Sequence, residues 1–156
     1  MTTQYEQAVA ALAETAGVEV KIGDDRVATM VVEERVVQLR PSDEAESGLT
    51  AFTIVASADG GSFGRTTLEA ALMMNLFGAE TGKGNLGLFG DSLFLSKDIC
   101  LEGVAPEQLA ENLLAFSRLA DGIEKQLGGE GAGEGDGSAA AAYDERSAGI
   151  GDFMKV

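Results

Sequence analysis

Glycines cluster at several places in patterns that resemble phosphate-binding loops. Residues 82–87 read Gly-Lys-Gly-Asn-Leu-Gly, which matches the GxGxxG pattern of dinucleotide-binding proteins. That pattern binds phosphate only where a strand precedes it and a helix follows, because the helix N-terminus supplies the N–H groups. Here a helix is predicted before it and a strand after it. The glycines of residues 78–83 and 60–66 are one residue too close for a phosphate loop. All three segments are predicted to be turns, and no cofactor is expected.

No side chains are arranged for nucleophilic or metal-assisted catalysis. The chain has no histidine and a single cysteine, Cys100, which excludes Cys–His pairs, intrachain disulfides and cysteine zinc sites. Acidic residues cluster at Asp24–Asp25, Glu33–Glu34 and 43–46, but none of these clusters has the ligand spacing of a calcium loop. They are expected to be solvated turns, and Cys100 is expected to be a small buried hydrophobe. We therefore predict neither enzyme activity nor a metal site.

The charge balance and the hydropathy exclude two further classes of partner. Acidic residues outnumber basic ones 26 to 11, which gives a net charge of −15. Such a chain repels nucleic-acid phosphates, since nonspecific affinity for nucleic acid comes mainly from Lys and Arg. It has no run of about 18 apolar residues to span a membrane, and its N-terminus lacks the basic residues of a secretory signal. We expect a cytoplasmic protein with no nucleic-acid partner and no membrane insertion.

Apolar spacing and terminal residues predict three helices. Apolar residues recur at spacings of three and four, which gives each helix a buried side. Thr66 and Glu69 have the spacing of a capping box at the start of the second helix, and Pro106 suits the first position of the third. Gly17 is placed to end the first helix in a left-handed conformation. The predicted helices comprise residues 3–16, 66–77 and 106–127.

Runs of β-branched and alternating apolar residues between these helices predict strands. Two of them flank Glu33–Arg35 and two flank Gly90–Asp91, so each pair is predicted to form a hairpin. The predicted strands comprise residues 18–22, 27–32, 36–40, 49–57, 86–89 and 92–96. In chain order the elements read α-β-β-β-α-β-β-α. Residues 18–22 are an optional short strand in addition to these, placed directly after the first helix. Because hairpins require antiparallel pairing, the predicted fold class is α+β, a twisted and largely antiparallel sheet packed with helices.

The chain is predicted to divide after Leu127 into one folded domain and a C-terminal extension. Residues 1–127 carry all the predicted helices and strands. Residues 128–142 read GGEGAGEGDGSAAAA and would bury too little apolar surface to offset the entropy of ordering them, so they are predicted to be a flexible linker. The 143–156 tail is either a short docking motif or a solvated terminus. Its large apolar side chains are Tyr143, Ile150, Phe153 and Met154.

The second helix differs from the others in its distribution of apolar residues. Its sequence LEAALMMNLF, residues 68–77, is apolar nearly all round and includes the adjacent Met73 and Met74. A helix of this kind is buried on more than one side, and methionine adapts to varied partners. Two interpretations stay open, a subunit interface and a plain core helix.

The order of elements and several stretches of sequence resemble the type III secretion chaperones of the Tir-chaperone (CesT-like) family. The resemblance covers about residues 3–127 and is one of pattern, without catalytic signatures. Its stretches are ALAETAGV in the first helix, the valine-rich hairpin 27–40, LEAALMMNLF, GNLGLFGDSLFLSKDI at 84–99 and LEGVAPEQLAENLLAFSRLAD at 101–121. The extension from Gly128 onwards departs from the family pattern.

This resemblance implies a homodimeric, non-enzymatic chaperone that binds the N-terminal segment of a secreted effector protein. The segment would wrap around the dimer in extended form, adding to a sheet edge and placing apolar side chains into grooves. The effector would thereby stay soluble and competent for export. The implied partner-binding candidates are Val9, Leu12, Val27, Thr29, Val31, Val37 and Leu39. The implied dimer-interface candidates, on the second helix and the strand after it, are Leu72, Met73, Leu76, Leu86 and Leu88.

Two alternatives to this prediction stay open. A non-catalytic regulatory or scaffold domain of the same architecture would have no export role and would hold no stable non-globular client. A small acidic enzyme is the other alternative, although no nucleophile–base pair or cofactor motif supports it. For every candidate residue named above, ordinary burial in the core is the competing interpretation.

Overall fold

Three helices and six strands make up the part of the chain that the computed structural model describes, residues 3–42, 47–78 and 80–130. The helices are α1 (Gln4–Ala16), α2 (Arg65–Phe77) and α3 (Pro106–Glu130). The strands are β1 (Lys21–Ile22), β2 (Ala28–Val32), β3 (Arg35–Pro41), β4 (Gly48–Ser57), β5 (Asn85–Phe89) and β6 (Ser92–Cys100). The α+β prediction is confirmed, and the optional short strand is present as β1.

The helix ends match the sequence prediction at α1 and differ from it at α2. The hydroxyl of Thr3 accepts a hydrogen bond from the N–H of Glu6 at 3.2 Å, and the Glu6 carboxylate accepts one from the N–H of Thr3 at 3.1 Å. Gly17 ends the helix with a φ of 61°. The capping box predicted for α2 was wrong, because the helix begins one residue earlier, at Arg65, without a side-chain cap. Glu69 instead accepts a hydrogen bond from Arg65 Nε at 2.6 Å.

All six strands form one antiparallel sheet in the order β1-β2-β3-β4-β6-β5, so β1 and β5 are its edges. The turn between β2 and β3 consists of Glu33–Glu34, which have φ values of 48° and 69° as in a type I′ turn. The sequence predicted a three-residue turn there. The shorter turn fixes a register in which Val31 lies opposite Val36 and Met30 lies opposite Val37.

The core lies on the face of the sheet that α1 and α3 cover. Tyr5 of α1 is fully buried. Its hydroxyl accepts a hydrogen bond from the N–H of Ala28 at 3.2 Å and donates to the carbonyl oxygen of Leu39 at 2.8 Å, which ties α1 to β2 and β3. The apolar side predicted for the third helix, here called its apolar seam, is buried along its whole length. Its members are Leu109, Leu113, Phe116, Ala120, Ile123 and Leu127.

Two local predictions need correction. Helix α3 continues past Leu127 to Glu130, since a glycine at an exposed helix end costs only about 1 kcal/mol. Cys100 is exposed, because Ile99 takes the inward position at the end of β6. The predicted tail 143–156, the linker beyond residue 130 and the acidic cluster 43–46 lie outside the described residues.

Candidate protein-binding surfaces

The structure divides the seven predicted partner-binding residues between the core and the surface. The five buried ones are Val9, Leu12, Val27, Val37 and Leu39, none more than 5% exposed. Their burial corrects their assignment as direct contacts. The alternation of β3 turns Val37 and Leu39 toward the helices, and Val9 and Leu12 of α1 belong to the same core cluster. Val27, in the turn before β2, is buried outside that cluster. Thr29 is partly exposed and Val31 is 53% exposed, so these two remain available to a partner.

The edge of the sheet formed by β1 and β2, here called the β1–β2 edge, has an incomplete cover. Strand β1 pairs with β2 only through Lys21 opposite Thr29 and Ile22 opposite Ala28, and both β1 residues are exposed. Backbone groups of alternate residues point to the same side of a strand, so those of Val31 point outward as those of Thr29 do. Among the described residues no strand lies on the outer side of β2 beyond Thr29, the side away from β3. Val31 therefore presents an open backbone donor and acceptor.

Two grooves flank this edge. One has a volume of about 290 Å³ and lies between α1, α3 and β2, with mostly apolar walls. The other has a volume of about 400 Å³ and lies along the segment before β1, and Val31 lines both grooves. Leu12, although buried, forms part of the floor of the first groove. The apolar residues of that groove include Leu12, Ala16, Val18, Met30, Leu113 and Leu114.

The face of the sheet opposite the helices exposes a further apolar group, Val31, Val36 and Ile54, with 53%, 54% and 42% of their surfaces exposed. The ladder between β3 and β4 stops at Gln38 opposite Phe52, short of this group. Side chains replace the missing ladder bonds. The Thr53 hydroxyl donates to the carbonyl oxygen of Val36 at 2.7 Å. A groove of about 430 Å³ lies over this gap in the sheet.

Arg35 closes the end of that gap. Its Nη1 donates to the carbonyl oxygen of Ile54 at 2.7 Å, and its guanidinium also binds Asp121 at 2.6 Å and Glu124, both on α3. Burial alone would lower the pKa of Arg35, but its hydrogen bonds and charge interactions with the two carboxylates outweigh burial and raise that pKa above its ordinary value. Arg35 therefore stays charged and ties the β2–β3 hairpin to α3.

A second exposed apolar surface lies on α2 and β5 and is here called the α2–β5 patch. It consists of Leu72, Met73, Leu76 and Leu88, which are 69%, 73%, 68% and 54% exposed. Leu86, the fifth predicted dimer-interface residue, is 8% exposed. The other side of α2 packs into the core through buried side chains such as Met74. Helix α2 is apolar nearly all round because one side of it is buried in the core and the other side is an exposed apolar surface of the single chain.

Sequence reasoning missed several surface residues. Val36 and Ile54 were not among the candidates, and neither were Val18 and Leu114 of the groove beside α1. A two-residue turn at Glu33–Glu34 would have placed Val31 and Val36 on one face, because alternation then fixes the orientation of both strands. The groove residues come from separate elements, and no local pattern of the sequence brings them together.

The described part of the chain holds no cluster of three or more His, Cys, Asp or Glu side chains arranged for a metal ion. None of its helices is long and apolar enough to cross a membrane. The candidate sites described above are apolar surfaces and an open strand edge, and such features are typical of sites that bind protein segments.

Comparisons with known proteins agree with this architecture. The model of the Tir chaperone protein (CesT) family matches residues 7–123. The chain is similar to SycH in the crystal structure of the Yersinia Pestis type III secretion chaperone SycH with a stable fragment of YscM2, at 23% identity and a TM-score of 0.57. The match covers 76% of this chain and 98% of that one.

The ExsC–ExsE complex contains a chain 17% identical to this one, with a TM-score of 0.65 and coverage of 80% and 96%. An uncharacterized protein from Methanothermobacter thermautotrophicus is similar at 7% identity, with a TM-score of 0.53 and coverage of 81% and 99%. At these identities the solved structures show a shared fold. No protein in the curated set matches the sequence.

Proposed function

The chain belongs to the Tir chaperone protein (CesT) family, and on that premise we propose that it acts as a type III secretion chaperone. It binds an N-terminal segment of a secreted effector in extended form, keeps that effector soluble and maintains it in a state competent for export. The role is cytoplasmic and non-enzymatic. The solved complexes of SycH and of ExsC, each with a bound partner chain, support this direction.

The observation that carries the proposal is the β1–β2 edge. It combines an open backbone donor and acceptor at Val31 with grooves on either side. An extended segment added there makes main-chain hydrogen bonds to β2 and places alternate side chains into the two grooves. Thr29 and Val31 are the two candidates that contact the segment directly. The buried candidates of α1, of the turn before β2 and of β3 support the edge from within, and Leu12 does so as part of the groove floor.

The α2–β5 patch supports homodimerisation. Four large apolar side chains are each more than half exposed there in the single chain. A cluster of this kind on a small protein is typical of an interaction site, and a two-fold interface uses the same patch on both copies. We therefore propose that Leu72, Met73, Leu76 and Leu88 form the dimer contact, with the buried Leu86 supporting it from beneath.

The charge of the chain bears on the choice of client. Because each chain carries a net charge of −15, the dimer repels acidic segments and nucleic acid, and it keeps a complex with an aggregation-prone client in solution. The proposed client segment is therefore apolar, neutral or basic, and not acidic.

A regulatory or scaffold role without export is the second candidate. The same fold occurs in an uncharacterized protein, so the fold by itself does not require a role in export. The two functions differ in one measurable property, because only a chaperone holds a non-globular effector segment and changes the amount of that effector that is secreted.

The test compares the secreted proteins of the source bacterium with those of a strain that lacks this chain, under conditions that switch secretion on. We expect one or a few effectors to disappear from the medium and to aggregate in the cell. The N-terminal fragment of such an effector is then co-expressed with this chain, and limited proteolysis identifies the protected residues. We expect protection over an extended N-terminal stretch.

Two matched variants connect this result to the β1–β2 edge. Val31→Asp places a charge between the grooves and should weaken binding of the effector fragment by at least about tenfold. Gln126→Asp is the control, since Gln126 is an exposed residue of α3 that lines none of the three grooves described above. Unchanged secretion in the deletion strain would contradict the chaperone function. Equal loss of binding in the two variants would contradict the assignment of the edge.

A further inference from the structure

Two side chains, and not a strand, occupy the free side of β5. Asn75, in the last turn of α2, donates from Nδ2 to the carbonyl oxygen of Leu86 at 2.9 Å and accepts at Oδ1 from the N–H of Leu86 at 2.7 Å. Thr81 is fully buried and donates from its hydroxyl to the carbonyl oxygen of Gly84 at 2.8 Å. The carbonyl oxygen of Thr81 accepts from the N–H of Gly84 at 2.8 Å. Each residue thus makes the pair of bonds that a neighbouring strand would make.

These bonds lie on the side of β5 that faces away from β6. Leu86 stands opposite Leu95 in the sheet, yet its backbone groups bind Asn75, so residues 84, 86 and 88 point outward. With the first two satisfied, Leu88 is the one outward position of β5 whose backbone has no partner among the described residues. An added strand would need the outward backbone groups of positions 84 and 86 in succession, so it would have to displace Thr81 and Asn75.

The turn before β5 is seated too closely for any residue but glycine at position 84. A Cβ on Gly84 would lie 2.6 Å from the carbonyl oxygen of Ser96 and 3.0 Å from that of Thr81. The absence of a side chain therefore allows Thr81 to approach the edge and bond to it. Asn75 reaches the same edge from α2, so two elements converge on neighbouring positions of one strand.

An open strand edge beside exposed apolar side chains is a site for uncontrolled sheet growth. We propose that Asn75 and Thr81 are positioning residues that close the β5 edge to strand addition, so that a second copy of the chain meets this edge only through the side chains of the α2–β5 patch. The identity of the partner rests on the proposed homodimer. The closure of the edge is a property of the single chain, so the two ideas fail separately.

The test uses the full chain with Asn75→Ala, Thr81→Val and both changes together. Asn112→Ala, at an exposed position of α3, is the matched control for an asparagine replaced in a helix. Hydrogen exchange resolved at Leu86 should be about tenfold faster in Asn75→Ala than in the wild type or the control, since a hydrogen bond of ordinary strength is lost. Sedimentation velocity of the double variant should show species larger than a dimer.

The same double variant is then examined with Met73→Asp added, which disrupts the patch. We expect it still to self-associate, because pairing through β5 uses backbone groups. Unchanged exchange at Leu86 in Asn75→Ala would overturn the proposal, and so would a double variant with the size distribution of the control. If the double variant does not fold, exchange at Leu86 in Asn75→Ala decides alone. A monomeric wild type would refute the homodimer and leave this readout intact.

Discussion

The two edges of the sheet are covered in different ways, and the difference indicates what each can bind. At the β1–β2 edge the cover is a strand of two exposed residues, and the next outward position, Val31, is open. At β5 the cover consists of side chains, since Asn75 and Thr81 hold the backbone of Leu86 and Gly84. The first edge offers backbone groups beside grooves. At the second edge the backbone groups of residues 84 and 86 are bound and apolar side chains are exposed, which fits the proposal of an extended client at one end of the sheet and a second copy at the other.

The largest expected effect comes from the groove floor at the first edge. Leu12→Ala removes a side chain that is 1% exposed and belongs to the core, so it should lower the free energy of unfolding by about 3 kcal/mol or more. Leu72→Ala is the matched control at the other edge, because Leu72 is 69% exposed. Its effect on a monomeric background should stay within about 0.5 kcal/mol. Urea unfolding measures both variants, and similar losses would contradict the different placement of these two leucines.

The next largest effect is expected at the α2–β5 patch, on the strength of the dimer. Met73→Asp places a charge in the centre of the α2–β5 patch and should weaken the dimer by about a hundredfold, because the carboxylate has no partner there. Light scattering should report about 32 kDa, twice 16.1 kDa, for the wild type and half of that for the variant at micromolar concentration.

Gln126→Asp, at an exposed position of α3, adds a charge outside the patch and is the control for that experiment. It should leave the mass unchanged. A wild type that is already monomeric would contradict the proposal that the α2–β5 patch is a subunit interface.

The smallest effect is expected from the C-terminal extension. We propose that the chaperone domain ends with α3, that the linker predicted for 128–142 begins after Glu130, and that residues 143–156 form a separate tail. Leu127 of α3 is buried and Gly128 after it is exposed, so deletion of residues 131–156 should change the melting temperature by less than about 2 °C. A larger fall would mean that the extension contributes to the core and that both edges depend on it.

The parts of the fold that follow from local patterns were predictable. Helix α1 ends at Gly17 because a left-handed residue is needed there, and the seam of α3 follows from its regular spacing. Family membership could also be predicted, since it rests on the order of elements and on stretches such as LEAALMMNLF. The orientation of the valine-rich hairpin could not be, because Glu33–Glu34 form a type I′ turn without glycine or asparagine.

The candidate site was predictable only in part, for a related reason. Four of the five dimer candidates are exposed. For the three on α2 this follows from the sequence, because the apolar character of that helix exceeds what one buried side requires. Five of the seven partner-binding candidates are buried, because a strand valine can face either way and the register decides which. Asn75 lies within the stretch LEAALMMNLF but was not among the predicted site residues. Its role depends on Leu86, eleven residues away, which local spacing does not reveal.

Binding of the client segment at the β1–β2 edge is tested most directly by hydrogen exchange of the chain with and without the N-terminal fragment of the effector that the secretion comparison identifies. We expect the fragment to slow exchange at the amide of Val31 and along β2. Exchange at Leu86 on β5 should be the same with and without the fragment. Slower exchange confined to α2 and β5, with no change at Val31, would contradict the claim that the client segment binds the β1–β2 edge.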